Sequence, residues 1–593
     1  MTETLSKIFY DSVDGYAKPD HLKVKKDGAW KNISSAEFRT AVEEVSAGFS
    51  ALGLKSLDRI ALIGENRPEW AYCDLGGLCA RATVVTIYPN LPANQAAYIL
   101  KDSGARLVVA SNREQTEKIL SVRTQAPAVE HVIVMDDDLA IPGTQSLASV
   151  REAGRKALAF DKDLVRRNAA AVQPGDLATL IYTSGTTGDP KGVMLTHANI
   201  GSNVEECAKE IFGLLGPEDS ILSFLPLCHV FERTGGEFVM LKRGVTIAYA
   251  ENMDKVPSNL LEIRPTILIA VPRLYEKIMA RVRDKVAAAA PFRQKLFAAA
   301  EQAGREVYLR KERNESIPFG LSIKHAILDR IVLSEVRARL GGRVKLSVSG
   351  GAALPKEIGI FFGAMGLPIL EGYGLTETSP VITVNTPRFH RTGSVGKPIP
   401  GVEVKIAEDG EICTRGPHVM KGYFNKPEAT AEAIDKDGYF HTGDIGRIDE
   451  DGYLYITDRK KDLIVTSGGK NIAPQPIENT LKTHPLIGEI VMVGNARNFP
   501  TALVVPNFEN LGRSAGVSDA SREALVANPS AVELVQKAID DLSKDLAQYE
   551  RIKKITLLPK EFSIEAGELT PTMKVKRRVV EAKHKDLIDR MYA

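Results

Sequence analysis

Four Ser/Thr side chains, three glycines and one lysine crowd the segment 182–192, which reads YTSGTTGDPKG. Gly185 and Gly188 let backbone N–H groups approach an anion closely. Thr183, Ser184, Thr186 and Thr187 add hydroxyl donors, and Lys191 adds a mobile positive charge. The segment therefore reads as a loop that holds the phosphates of a nucleotide. A P-loop would require G-x-x-x-x-G-K-[ST]. Here Lys191 follows Pro190 and precedes Gly192, so no hydroxyl stands where that motif holds its magnesium. A polar surface turn draws on the same residue types; the rest of the chain decides against it.

Further clusters lie downstream. Residues 371–378 read EGYGLTET. There Tyr373 is able to stack on a base, Thr376 to bond a phosphate and Glu377 to hold Mg²⁺; a glycine-rich loop around a core tyrosine would look the same. Residues 438–446 read GYFHTGDIG and set Asp444 between glycines, as an acceptor for ribose hydroxyls or as an ordinary turn residue. The run DRKKDLI at 458–464, followed by SGGKN at 467–471, resembles a solvated charged face. LTPTMK closes the series at 569–574. His229 sits within LPLCHVFER at 225–233, where a histidine among apolar neighbours is more often structural.

The elements that would position these residues change style along the chain. In the first half, β-branched runs at 59–63, 82–87, 106–110, 132–135 and 179–182 alternate with amphipathic stretches. That pattern predicts parallel βαβ units. Residues 193–200 read as a short strand and a helix start. Residues from about 275 to 340 are charged and Ala-rich, which favours long helices. Strand character returns at 344–348, then SGGAA at 349–353 forms another turn of close approach. Beyond about 400 the runs 402–406 and 410–413 alternate like antiparallel strands. The charged cluster near 458 suggests a boundary, leaving enough chain for a small α+β domain.

Bulk properties exclude several classes. The chain has 593 residues, 44% hydrophobic and 26% charged, with net charge +2. That is ordinary globular composition, too long for one core, and without a global argument for nucleic acid. Five cysteines, an odd number with no C-x-x-C pair, argue against both metal ligation by cysteine and a disulfide framework. They fit a reducing cytoplasm. No signal-like start is expected, and no apolar run approaches the roughly 18 residues a membrane span needs.

Taken in order and spacing, these clusters resemble the adenylate-forming superfamily of acyl-CoA synthetases, luciferases and peptide-synthetase adenylation domains. The resemblance runs from NRPEW at 66–70 to Lys574. It is nearest the long-chain fatty acyl-CoA synthetases, through LPLCHVFER, the helical insertion after VPRLYEK at 271–277, and the block from 437 to 461. The resemblance implies an α/β fold: residues 1–458 as a large N-terminal domain of αβαβα layers and a distorted barrel, with 459–593 as a small mobile C-terminal domain. It implies that a fatty acid reacts with ATP to give acyl-AMP and pyrophosphate, and that CoA then displaces AMP. An aryl-CoA ligase, or an acyl-AMP ligase feeding a carrier protein, is the alternative within the superfamily; a nucleotide- and lipid-binding regulator without catalysis lies outside it.

The resemblance also implies roles. The loop Thr183, Ser184, Gly185, Thr186, Thr187, Gly188 and Lys191 would handle the β and γ phosphates. Thr183 and Glu377 would help hold Mg²⁺, and Thr376 would bond the α-phosphate. Tyr373 and the backbone of Gly350, Gly351 and Ala352 would sandwich adenine, beside Glu371, Gly372 and Gly374. Asp444 and Arg459 would fix the ribose. Lys574 would be the catalytic cation, although Met573 stands where the family has glycine, which leaves Lys576 as an alternative. His229 would orient the carboxylate, and Lys461 would be the hinge or simply a strand cap. Gly468, Gly469 and Lys470 would approach CoA. Arg233 and Glu232 are read either as an internal ion pair or as substrate contacts. The implied setting is cytoplasmic, with a possible homodimer and with the helical insertion and basic tail touching a membrane surface.

Overall fold

The computed structural model of the chain describes residues 3–183, 189–517, 520–570 and 573–593. Among these, one sheet of eight strands is built on Arg59–Ile63, which lies parallel between Thr83–Ile87 and Leu107–Ala110. Both neighbours are buried along their whole length, as a sheet covered by helices on both faces requires. Leu177–Thr183 joins parallel to Thr83–Ile87 and pairs antiparallel with Lys191–Thr196. Thr183 and Lys191 are register partners. The two ends of the phosphate-loop candidate are thus held by one ladder.

A second sheet, of nine strands, runs parallel through Ile369–Gly374, Leu346–Ser349, Ile267–Ala270, Ser220–Ser223, Thr246–Tyr249 and Leu22–Lys26. The largest apolar cluster joins residues of both sheets to the helices around them. Glu403–Ile406, Glu411–Arg415, Phe440–Ile448 and Leu454–Arg459 form a four-stranded antiparallel sheet, the curved barrel-like element. Its inner residues Ile412 and Leu454 pack with Tyr373, Ile382 and Val395. From Ile464 onward the chain has apolar clusters of its own around Ile487–Val493 and Thr501–Pro506. The layered α/β domain, the barrel-like sheet and the separate C-terminal unit all match the sequence-based expectation.

One helix ties the site-bearing loops together. His197–Glu210 opens with a capping box in which Thr196 and Asn199 bond reciprocally, satisfying donors that a helix start leaves free. The Asn199 amide also donates to Pro417 O at 2.7 Å and Val419 O at 2.9 Å. One turn on, Asn203 exchanges two hydrogen bonds with the Val381 backbone.

The helical insertion forms Pro272–Ala287, Pro291–Glu312 and Phe319–Leu328, the last continuing through a wider turn at Asp329–Leu333. Phe319, Ile323, Ile327 and Ile331 stand exposed, four residues apart. No helix among the described residues is long and apolar enough to cross a membrane. All five cysteines are free and buried.

Candidate active site

The strand end Ile369–Gly374 and the barrel strand Phe440–Ile448 meet through side chains. The Tyr373 hydroxyl donates to Asp444 Oδ2 at 2.7 Å, and Arg459 Nε lies 3.1 Å from Asp444 Oδ1. Asp444 and Arg459 are also backbone register partners. Burial, then the neighbouring carboxylate, pushes the Tyr373 phenol well above its ordinary value, so it stays a donor. Asp444 is itself buried, its charge balanced by the guanidinium. Two glycines make the tight packing possible. A side chain at Gly374 would strike the Pro380 carbonyl, and one at Gly350 would meet the Phe231 ring at 2.9 Å. Gly351 and Ala352 follow, exposed.

Lys574 approaches this cradle from the C-terminal unit. Protein packed around its ammonium, then the charge of Arg459, lowers it to about 8, while Asp444 pulls the other way. The residue as a whole is exposed. Lys576 instead stands at the start of the helix Arg577–Lys583. Lys574 N–H donates to Thr570 Oγ1 at 3.0 Å, and Met573 has φ +63°. That left-handed backbone explains why glycine suits the position: a side chain there costs about 1–2 kcal/mol. Met573 adopts it as a residue 63% exposed.

His229 faces the same space. Burial, then the charge of Lys574, lowers its imidazole to about 4, so it is neutral at pH 7. Phe231 N–H donates to its Nδ1 at 3.2 Å, which leaves the proton on Nε2. A neutral ring holding Nε2–H is a donor for a carboxylate or an acyl oxygen.

Glu377 is buried on the other side of the cradle, and burial raises its carboxyl above the usual range. Tyr423 donates to its Oε1 at 3.0 Å, and Lys191 Nζ lies 4.8 Å from the centre of the Tyr423 ring. An acidic oxygen pair in a desolvated site beside Lys191 suits a hard divalent cation carried by phosphates. Thr376 precedes it in the same turn. Tyr423 was not foreseen; the available signal was the KGYFNKP turn at 421–427, which ends on Pro427 opening the helix Pro427–Ala433.

Other expected residues sort differently. Ser184, Gly185, Thr186, Thr187 and Gly188 lie outside the described residues. Glu371 turns its carboxyl into the protein, where Gly393 N–H donates to it at 3.3 Å. Burial raises it to about 8. Arg233 and Glu232 both turn inward, but the ion pair expected between them is replaced by separate partners for each. Arg233 makes a two-pronged buried pair with Asp74 and donates to Thr179 Oγ1 at 2.7 Å. Ser223 donates to Glu232 Oε1 at 2.6 Å, and burial raises that carboxyl to about 8. Lys461 is exposed just past the end of Leu454–Arg459. Gly468, Gly469 and Lys470 form an exposed turn of the C-terminal unit, with Lys470 Nζ 5.9 Å from the Tyr549 ring centre.

The chain is similar to known proteins over nearly its whole length. Residues 13–424 match the family of AMP-binding enzymes, and residues 461–593 match the AMP-binding enzyme C-terminal domain. The long-chain-fatty-acid–CoA ligase FadD15 of Mycobacterium bovis is 36% identical, covering 97% of this chain and 95% of its own. The human long-chain-fatty-acid–CoA ligase ACSBG1 is 31% identical over 99% of this chain and 85% of its own. Among solved structures, the adenylation domain of a carboxylate reductase from Mycobacterium chelonae superposes with TM-score 0.76 at 23% identity, covering 100% of this chain and 91% of that one.

Proposed function

The chain belongs to the AMP-binding enzyme family, and from that membership we propose that it is a long-chain fatty acid–CoA ligase. In this reading ATP and the acid give acyl-AMP and pyrophosphate, and CoA then takes the acyl group with release of AMP. The observation that carries the proposal is the convergence of Lys574, His229, Asp444, Arg459 and Tyr373 on one cleft.

The first half-reaction brings a carboxylate against a polyphosphate, so oriented donors and cations must offset their repulsion. His229 Nε2–H orients the acid. Lys574 stabilises the charge that develops on the carboxylate and α-phosphate oxygens, a contribution concentrated in the transition state. Asp444 and Arg459 hold the ribose, with Tyr373 beside the base. Thr183 and Lys191, at the two ends of their loop, meet the outer phosphates. Glu377, steadied by Tyr423, would hold Mg²⁺, which when bound neutralises phosphate charge. Lys461 is the hinge in this reading, with a domain boundary near 458, and the turn 468–470 approaches CoA after rotation.

A long-chain acid partitions into bilayers. The apolar row Phe319, Ile323, Ile327 and Ile331 supports contact between the helical insertion and a membrane surface.

The deciding experiment is pyrophosphate release across acids from acetate to oleate, with benzoate and coumarate, each with and without CoA. Long-chain turnover that requires CoA is the expected result. Turnover confined to aromatic or short acids would overturn the substrate, and CoA-independent accumulation of acyl-AMP would overturn the acceptor.

A further inference from the structure

Glu411, Cys413 and His441 bring a carboxylate oxygen, a thiol sulfur and an imidazole nitrogen within 4.8 Å of one another, in the barrel-like sheet. The convergence follows from strand geometry. Cys413 and His441 are directly paired across antiparallel strands, and Glu411 precedes Cys413 by two residues, which puts it on the same face. Cysteine spacing alone gave no hint of this, because the three ligands are of three kinds.

The two separations from His441 Nδ1 fit one coordination sphere, and the sulfur and the carboxylate oxygen lie within 4.8 Å of each other. Cys413 Sγ lies 3.5 Å from His441 Nδ1, and Nδ1 lies 3.2 Å from Glu411 Oε2. A tetrahedral zinc ion with Zn–S of about 2.3 Å and Zn–N or Zn–O of about 2.0–2.1 Å holds sulfur and nitrogen about 3.6 Å apart, and nitrogen and oxygen about 3.3 Å apart. Both observed separations fall within about 0.2 Å of those values. The outer groups are also in place. Asp435 Oδ2 faces His441 Nε2 at 3.6 Å, in the position of the carboxylate that commonly orients a metal-bound histidine. Gly443 N–H donates to Glu411 Oε1 at 2.8 Å and steadies that carboxylate while Oε2 stays directed at the histidine. Glu411 and Cys413 are buried and His441 is half-exposed, which gives an ion a route in.

We propose that Glu411, Cys413 and His441 form a binding site for Zn²⁺ or a similar borderline-soft divalent ion, with one coordination position left for water. Binding expels the thiol proton and needs a bare Nδ1, so a proton resident there leaves or moves to Nε2, opposite Asp435. The Lys460 ammonium, 3.0 Å from Glu411 Oε2, gives way and keeps its second partner, Asp409. The site is distinct from the nucleotide cradle. The strand Phe440–Ile448 carries an irregularity between His441 and Ile445, and the contacts separate the two sites: Asp444 bonds Tyr373, which packs with Ile412, whereas His441 meets Cys413 and Glu411 on either side of Ile412. The hard, phosphate-borne cation near Glu377 and the softer ion near Cys413 are therefore separated by ligand chemistry and by a sheet.

The test uses the full-length chain stripped with chelator and titrated with Co²⁺ as a spectroscopic stand-in for Zn²⁺. One equivalent of Co²⁺ should give an intense sulfur-to-metal charge-transfer band, and Zn²⁺ should erase it. Cys413→Ser and His441→Ala should each abolish the band; the half-exposed histidine gives a variant that does not disturb a buried position. Asp435→Ala should weaken binding by about ten- to a hundredfold while keeping the band. No charge-transfer band in the parent chain, or a band that survives Cys413→Ser in a protein with an unchanged circular dichroism spectrum, would overturn the proposal.

Discussion

Tyr373 and Asp444 lie 71 positions apart in the chain and share a 2.7 Å hydrogen bond, phenol to carboxylate. The segment expected beside the base and the one expected beneath the ribose are thus one unit. Hydrogen bonds to a charged acceptor contribute about 1.5–3 kcal/mol. Tyr373→Phe keeps the ring and loses this bond, so the KM for ATP should rise about tenfold or more, with kcat changed less. Asp444→Asn also removes the charge facing Arg459 and should raise it further. Steady-state kinetics with ATP varied would check both, and an unchanged KM in Tyr373→Phe would count against a nucleotide role for the pair.

Lys574 should matter to one half-reaction only. Lys574→Ala should lower acyl-AMP formation by about 10²–10³-fold, the size seen when one transition-state donor is lost. Conversion of added acyl-AMP to acyl-CoA should stay near the parent rate. Equal losses in both steps would remove the assignment.

The same lysine sets a pH limit. Its ammonium is lowered to about 8, so the charged form prevails below that pH and is lost as pH rises through it. The adenylation kcat/KM, which reports the free enzyme, should fall on the alkaline side with a midpoint near 8. Arginine stays charged, so Lys574→Arg should erase this limb even if its rate is lower. His229, neutral above about 4, adds no limb near neutrality.

Glu232 and Glu371 both sit near 8, well above the ordinary carboxylate value. For a group raised on folding, the stabilising contribution is complete below the unfolded value of about 4.3 and disappears as pH climbs through the folded one. Stability should therefore drop between about pH 4.3 and 8, by up to about 1.4 kcal/mol per pH unit for each proton. Glu371→Gln should flatten that slope. Denaturant unfolding at several pH values measures it, and parallel curves for variant and parent would refute the buried, protonated state.

The exposed row on the helical insertion predicts lipid binding. Phe319→Glu with Ile327→Glu should abolish flotation with anionic vesicles and leave turnover of a soluble medium-chain acid unchanged. Parent protein that does not float would exclude the membrane contact.

The parallel strands were legible because buried β-branched runs such as TVVTI at 83–87 leave little alternative. The candidate site residues could be named from sequence where glycines, hydroxyls and charges sit close together, as in 371–378. It was not legible where partners come from remote strands. Nothing near Glu377 in sequence announces Tyr423, and nothing near Arg233 announces Asp74; those contacts exist only once both large sheets have formed. Glu371 shows the opposite limit of the sequence. It lies inside a glycine-rich motif, yet burial makes its carboxyl seek backbone donors of its own chain. Met573 broke the expected pattern visibly, but only its φ of +63° explains what glycine would do there.

Arg459 is the last residue of its strand, paired across the ladder with Asp444, and Lys461 follows two positions later. A ribose held between Asp444 and Arg459 would stiffen the last fixed point before the chain enters the C-terminal unit. Its departure would return conformational entropy to that point. Nucleotide occupancy and freedom of rotation would then be two readings of the same strand end, and the order of product release would need no separate sensor.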